Sequence, residues 1–318
     1  MFKRILLPLD RSALAECVLP HTIAFARAFE SQVTLLHVMD TPREAHRRPA
    51  MDPLNWQIRK AEAKTYLHDL DLRLQAAGLL TETHILEGFA AEQVIRFSDT
   101  HAFQLIILSS HGQSGLSDWG VSSIVQKIAL RSSTSVMIVR AAQPMATDIT
   151  GLRYQCIIVP MDGTQRTESI LPAAAALARA HDAQIILTHI VQKPSMPRRT
   201  PPSREDVELA DQFVERNQAE AIQYMDQLRS RMTGKVEARV LVSDHLAATL
   251  QELVEQEKSD LVLLSAHGRS SQTRGLYGNV VGNLMAYGTT PLVIMEDRSP
   301  APTAPPPIKA PSGELGKS

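Results

Sequence analysis

Residues 3–39, KRILLPLDRSALAECVLPHTIAFARAFESQVTLLHVM, return without a gap as residues 155–191, QCIIVPMDGTQRTESILPAAAALARAHDAQIILTHIV. Pro8, Asp10, Leu19, Pro20, Arg27, Gln32 and His37 recur as Pro160, Asp162, Leu171, Pro172, Arg179, Gln184 and His189, all at one offset. A shared offset over so many positions makes the chain one unit written twice. Inside the stretch, the apolar run RILLPL is followed by a longer amphipathic segment and a second apolar run, QVTLLHV. That alternation reads as strand, helix, strand.

Working outward, the first unit adds the strand patterns THIL (83–86), FQLIILSS (103–110) and SVMIVR (135–140). Helical spacing is predicted over 14–28, 55–77, 90–100 and 122–130. The second unit supplies CIIVPM, AQIILTHI, VEARVLV, DLVLLSA and PLVIM with four matching helices. Nearly continuous Val/Ile/Leu strands alternating with helices imply parallel strands buried on both faces. The predicted fold class is therefore α/β, with two tandem doubly wound domains, each an open five-stranded parallel sheet with helices on both faces. The expected boundaries are domain 1 at 1–141, a linker at 142–153, domain 2 at 154–297, and a Pro-rich tail at 298–318 expected to be disordered. Two Pro- and Arg-rich connections, 41–53 and 192–205, read as exposed segments and candidate lids.

A length of 318 residues suits two domains. With 33 basic and 34 acidic residues mixed along the chain, no electrostatic footprint favours nucleic acid or an anionic membrane. The N-terminal MFKRILLPLD is too short in apolar residues for a signal-peptide core, and no segment is long and apolar enough to span a bilayer. Cys17 and Cys156 form no C-x-x-C pair, which argues against a disulfide framework or a zinc site. A reducing, cytoplasmic setting is expected.

Chemistry in open parallel sheets collects beyond the carboxyl ends of the strands. Asp10 and Asp162 end the first strand of each unit, and His37 and His189 lie near the end of the second. The loops SSHGQSGLSDWGVSS (109–123) and SAHGRSSQTRGLYGN (265–279) leave the fourth strand and lead into a helix. A helix N-terminus offers unpaired N–H groups and the positive end of the dipole, which suits a phosphate. A Gly with a Ser or Asn cap between strand and helix also serves conformation alone, and a strand-end Asp can be a helix cap. Neither loop decides the matter singly; the recurrence of Asp and His-Gly together in both units is what favours a ligand.

These residues resemble the universal stress protein family in its tandem form, whose ATP-binding members carry G-x-x-G-x9-G-[ST] after the fourth strand. The matching positions here are Ser265-x-x-Gly268-x9-Gly278-Asn279 and Ser109-x-x-Gly112-x9-Ser122-Ser123. The resemblance runs from about residue 2 to 296 and implies an adenine nucleotide alpha hydrolase-like fold. It implies that Asp10 and Asp162, with Pro8 and Pro160 before them, flank the adenosine portion, and that Val38 and Ile190 pack near adenine. It places Ser109, His111, Gly112, Gln113, Ser122 and Ser123 around ribose and phosphates in one unit. In the other unit those positions are Ser265, His267, Gly268, Arg269, Gly278 and Asn279, with Val280 added next to Asn279. The implied ligand is ATP, ADP or AMP, with Mg²⁺ accompanying the phosphates, and the implied role is regulatory, through an unidentified protein partner.

The departures from the motif carry weight. Ser replaces the first glycine in both units, Ser122 replaces the later one in the first unit, and Asn279 replaces the terminal hydroxyl in the second. A Cβ at 122 is expected to restrict positive φ and to crowd a phosphate, so the second unit is expected to be the better nucleotide site. The resemblance also implies that the fifth strands, TSVMIV and TPLVIM, pair within the chain as a pseudo-dimer, with further homodimerisation left open.

Other motifs lead nowhere. The terminal GELGKS has Pro311 where a P-loop needs glycine. His37 and His189 read as packed or capped strand-end residues, and no ligand cluster supports a metal. No G-x-S-x-G elbow, Rossmann fingerprint or kinase motif set appears, so no catalytic residue is assigned and at most slow ATP hydrolysis is expected. Two other readings stay open: an interaction scaffold whose pockets have lost nucleotide, and an ATP-dependent transferase. The latter is disfavoured because S-G-G-x-D-S and H-x-G-H are both absent.

Overall fold

The structure, a computed structural model, describes residues 1–40, 53–112, 115, 120–141, 148–194, 203–267 and 278–296. Most of both candidate lids, half of the expected linker and the whole of the expected tail lie outside the described residues. The first unit runs β1 (Arg4–Pro8), a 3-10 turn (Ala13–Cys17), α1 (Val18–Phe29), β2 (Gln32–Asp40), α2 (Pro53–Ala76) and β3 (Leu80–Gly88). It continues with α3 (Ala90–Thr100), β4 (Leu105–Ser109), α4 (Ser123–Arg131) and β5 (Ser135–Val139). The second unit runs β6 (Cys156–Met161), α5 (Gln165–Glu168), α6 (Leu171–His181), β7 (Gln184–Val191) and α7 (Arg204–Ser230). It ends with β8 (Val236–Val242), α8 (Leu246–Gln256), β9 (Leu261–Ser265), α9 (Asn279–Tyr287) and β10 (Leu292–Met295).

The helix expected over 14–28 is divided in the structure at Cys17–Val18, and the second unit breaks at the matching place, between α5 and α6. Proline explains the shared break. Pro20 and Pro172 each fall in the first turn of the longer helix, where the missing N–H would have had no intrahelical partner. The short strand expected at 83–86 extends over Leu80–Gly88, because every residue from Leu80 to Gly88 finds a partner on β2.

Each unit has the strand order 3-2-1-4-5 in parallel, and the halves join as one ten-stranded sheet, β3-β2-β1-β4-β5-β10-β9-β6-β7-β8. At the junction β5 and β10 are antiparallel, with Val136, Met137 and Ile138 opposite Ile294, Val293 and Leu292. All six are at most 1% exposed. Each such side chain contributes roughly 1.5–3 kcal/mol of burial.

Residue alternation along the strands separates two cores. One face carries Ile5, Leu7, Leu35, Ile107 and Met137 under α1, α2, α6 and α7. The other carries Leu6, Leu36, Ile106, Leu108 and Ile138 under α3, α4, α8 and α9. The units also meet where Tyr154, 1% exposed, approaches His21 on α1, with the hydroxyl 2.8 Å from Nδ1. Burial there draws the His21 pKa down to about 4.

Candidate functional site

In each unit the strand order reverses beside the first strand: β1 lies between β2 and β4, and β6 lies between β7 and β9. Such a reversal opens a crevice beyond the carboxyl ends of the strands. In the first unit Asp10 follows β1, Val38 lies on β2, His111 and Gly112 follow β4, and Ser122 and Ser123 open α4. A cavity of about 750 Å³ lies there, lined by Pro8, Asp10, Val38, Ser109, His111, Gly112, Ser122 and Ser123 among others. Gln113 lies outside the described residues.

The walls of this cavity are tied down. Asp10 Oδ1 accepts from the Ser12 N–H at 3.0 Å and from the Ser12 hydroxyl at 2.6 Å. The backbone at Gly112 passes so close to Asp10 Oδ2 that a Cβ there would collide with it, so this position calls for glycine on grounds of space. His37 Nδ1 sits 2.8 Å from the Leu9 carbonyl, and burial lowers its pKa, which favours the neutral ring as donor. The buried Ser109 hydroxyl lies 2.7 Å from the His111 carbonyl and 3.1 Å from that of Leu14. His111 Nδ1 stands 3.1 Å from the Ser110 hydroxyl, which also accepts the Ala141 N–H at 3.0 Å.

The second unit repeats the layout with different bonds. Pro160 lies in β6, Ile190 in β7, and Asp162 just after β6. Asp162 Oδ1 accepts from the Thr164 N–H (2.9 Å), the Thr164 hydroxyl (2.7 Å) and the Thr167 hydroxyl (2.9 Å). Ser265 donates to the His267 carbonyl at 2.9 Å, matching Ser109. The serines that replace the family's first glycine thus fasten the start of each loop to itself. His267 Nε2 lies 3.5 Å from Glu296 Oε2, both side chains 14% exposed. His189 Nδ1 is 2.9 Å from the Met161 carbonyl. Gly278, Asn279 and Val280 stand at the start of α9, while Gly268 and Arg269 lie outside the described residues.

One expectation is corrected at the helix starts. Positive φ is not required where Ser122 replaces glycine: Ser122 has φ −67° and ψ 157°, and Gly278 has φ −63° and ψ 163°. Both are N-caps in extended backbone, open to any residue. They differ in the side chain. Ser122 accepts the Val125 N–H at 3.4 Å, whereas Gly278 brings no side-chain acceptor to its helix.

The universal stress protein family model matches residues 1–140 and again 153–295. The chain belongs to the universal stress protein family. Universal stress protein MJ0577 of Methanocaldococcus jannaschii is 27% identical over 156 residues, covering 44% of this chain and 96% of that protein. Universal stress protein YxiE of Bacillus subtilis is 24% identical over 152 residues, covering 44% of this chain and 100% of that protein. Among solved structures, a universal stress protein from Archaeoglobus fulgidus superposes with a TM-score of 0.66 at 14% identity, covering 93% of this chain and 99% of its own. The protein PA1789 from Pseudomonas aeruginosa, described as functionally unknown, gives 0.67 at 12% identity, covering 92% of each chain. These structural likenesses bear on the fold of the whole tandem chain.

In this universal stress protein the structure also places residues at the site that sequence reasoning missed. Arg11 and Arg59 line the first cavity. Arg11 has φ 69°, where the repeat has Gly163 at φ 82°, and its guanidinium reaches Glu62 at 3.2 Å. The repeat alignment of Arg11 with Gly163 was the available signal. Gly282, Met285 and Ala286 of α9 form a wall of the same cavity, although they belong to the other unit. Nothing in the local pattern marks them, because the contact exists only once β5 and β10 pair. Among the described residues, no group of three or more His, Cys, Asp or Glu could hold a metal, and no helix is long and apolar enough to cross a membrane.

Proposed function

We propose that this universal stress protein binds an adenine nucleotide, ATP or its products ADP and AMP, and uses occupancy as a regulatory signal in a cytoplasmic setting. The observation that supports the reading is the first unit's cavity, in which an acidic residue, an apolar strand residue, a close-packed glycine and a helix start line one space. Its volume of about 750 Å³ falls in the range usual for small-molecule sites. Val38 offers an apolar surface for the adenine, and Asp10 a carboxylate beside the adenosine portion. Gly112 and the N–H groups that open α4 lie where a helix start favours phosphate oxygens. No general base or nucleophile is assigned, so binding rather than rapid turnover is the proposed role. A Mg²⁺ ion arriving with ATP would be carried by the phosphates themselves.

The second unit remains our choice for the tighter phosphate contact, because Gly278 brings no side chain to the N-cap of α9. Calorimetry with ATP on the full chain and on Asp10→Ala and Asp162→Ala variants tests both parts. Asp162→Ala is expected to remove the tighter phase, and loss of that phase in Asp10→Ala instead would reverse the ranking. One observation favours the scaffold reading for the second unit: Asp162 Oδ1 is already engaged by three donors of its own turn, as a purely structural cap would be. Absence of ATP binding to the full chain would establish that reading in place of ours. The antiparallel β5–β10 junction supports treating the chain as an internal pseudo-dimer.

A further inference from the structure

Helix α9 belongs to the second unit, yet part of it borders the first unit's cavity. Its first residue, Asn279, follows Gly278 at the second unit's loop, while Gly282, Met285 and Ala286 line the first unit's cavity. At about 1.5 Å per residue, the whole helix is only ~13 Å long. Its C-terminal end is held by Arg140, the residue directly after β5 of the first unit. Arg140 Nη2 donates to the Leu284 carbonyl at 2.6 Å, and Nη1 donates to the Met285 carbonyl at 3.0 Å. The same Nη1 donates to the Gly120 carbonyl at 2.8 Å, in the loop that leads to Ser122 and α4. Gly120 is pressed against the same helix end, and a Cβ there would collide with the Ala286 carbonyl.

The guanidinium suits this place. A helix C-terminus carries unsatisfied carbonyls and the negative end of the dipole, and a forked cation can serve two elements together. Burial draws the Arg140 pKa down only to about 10, so the charge is kept at neutral pH. The repeat does not reproduce the clamp. The residue equivalent to Arg140 is Glu296, which cannot donate to helix carbonyls and lies instead beside His267.

We infer that Arg140 is a positioning residue that ties the Gly120–Ser122 segment of the first unit to α9, so that nucleotide at the start of α9 and nucleotide in the first cavity bind with linked affinities. This rests on the nucleotide reading above and adds to it the coupling of the two positions. The short helix moves as one piece. A ligand that tightens its N-terminal end also fixes the carbonyls that hold Arg140, and through Arg140 the Gly120–Ser122 segment. The linkage is reciprocal, because a coupling free energy belongs to both sites alike.

Hydrogen exchange on the full chain, with ATP as probe, tests this. In Asp10→Ala, ATP is expected to slow exchange over 279–287 and also over 120–123, by about fivefold or more at each. The effect over 120–123 should vanish in Asp10→Ala/Arg140→Met. It should return in part in Asp10→Ala/Arg140→Lys, whose ammonium keeps the charge but lacks the fork. The reciprocal Asp162→Ala chain needs no change at Arg140: ATP in the first cavity is expected to slow 279–287 as well as 120–123. Protection confined to the loop of the unit that keeps its Asp overturns the coupling while leaving nucleotide binding intact. Protection of 120–123 that persists in Asp10→Ala/Arg140→Met reports direct binding there and also overturns it. If ATP protects neither loop in any chain, the nucleotide reading fails and the coupling fails with it.

Discussion

The two helix starts that face the candidate sites have the same backbone and different chemistry. Ser122 and Gly278 differ by only a few degrees in φ and ψ, yet Ser122 caps its own helix and Gly278 does not. The ends of the fifth strands differ in the same way, with Arg140 gripping a helix of the other unit and Glu296 facing His267. The repeat therefore preserved geometry and changed the side chains at a few positions of the candidate sites, so similarity of fold between the halves does not make them equivalent there.

The largest test of that comparison concerns the junction, where the halves do look alike. Ile138 and Ile294 are both fully buried, and Ile138→Ala or Ile294→Ala should each cost about 2–5 kcal/mol in urea unfolding. A much smaller loss for one of them would mean that the halves do not share the junction equally. The second test exploits a difference: His21 in the first unit corresponds to Ala173 in the second. With a folded pKa near 4 against 6.5 when free, His21 binds its proton more weakly in the native state. Its contribution is fully present above pH 6.5, fades as pH falls toward 4, and is lost below that. The loss is on the order of 3 kcal/mol. Unfolding of His21→Gln across this window should show a flatter pH profile, and an unchanged profile would remove His21 from the acid-sensitive groups.

A smaller effect is expected at the helix starts. Ser122→Gly removes a side-chain cap at a cost of a few tenths of a kcal/mol in stability. It should tighten ATP at the first unit several-fold, near 1 kcal/mol, while Gly278→Ser weakens the second unit by a similar factor. Equal affinities before and after the exchange would show that the N-cap does not set the ranking. The smallest effect is at Arg11→Gly. Relief of a positive φ of 69° and loss of the partly exposed Arg11–Glu62 ion pair should nearly cancel, leaving thermal stability within about 0.5 kcal/mol of the parent.

Much of the architecture was legible in the sequence because it rests on local periodicity. The strand and helix alternation, the repeat and the positions of Asp10, Gly112 and Ser122 all follow from spacing along the chain. What escaped depends on contacts between distant segments. Thr83–Leu86 is too short a reading of β3 because edge pairing with β2, not its own pattern, sets its length. The helix break before Pro20 was readable from proline chemistry and was missed in favour of an unbroken amphipathic run. The α9 wall and the Arg140 clamp could not be read at all, since Arg140 and Leu284 are 144 residues apart and meet only through the shared sheet. The supposed need for positive φ at 122 failed for another reason: the glycine of the family motif was read as a conformational requirement where the backbone is ordinary.

The β5–β10 junction has one more consequence. In an assembly of separate subunits, such a pairing would dissolve on dilution, and its occupancy would follow the amount of protein made. Here both strands lie on one chain, so each meets the other at an effective concentration fixed by the connecting segment rather than by expression level. A scarce copy and an abundant one then keep this junction alike.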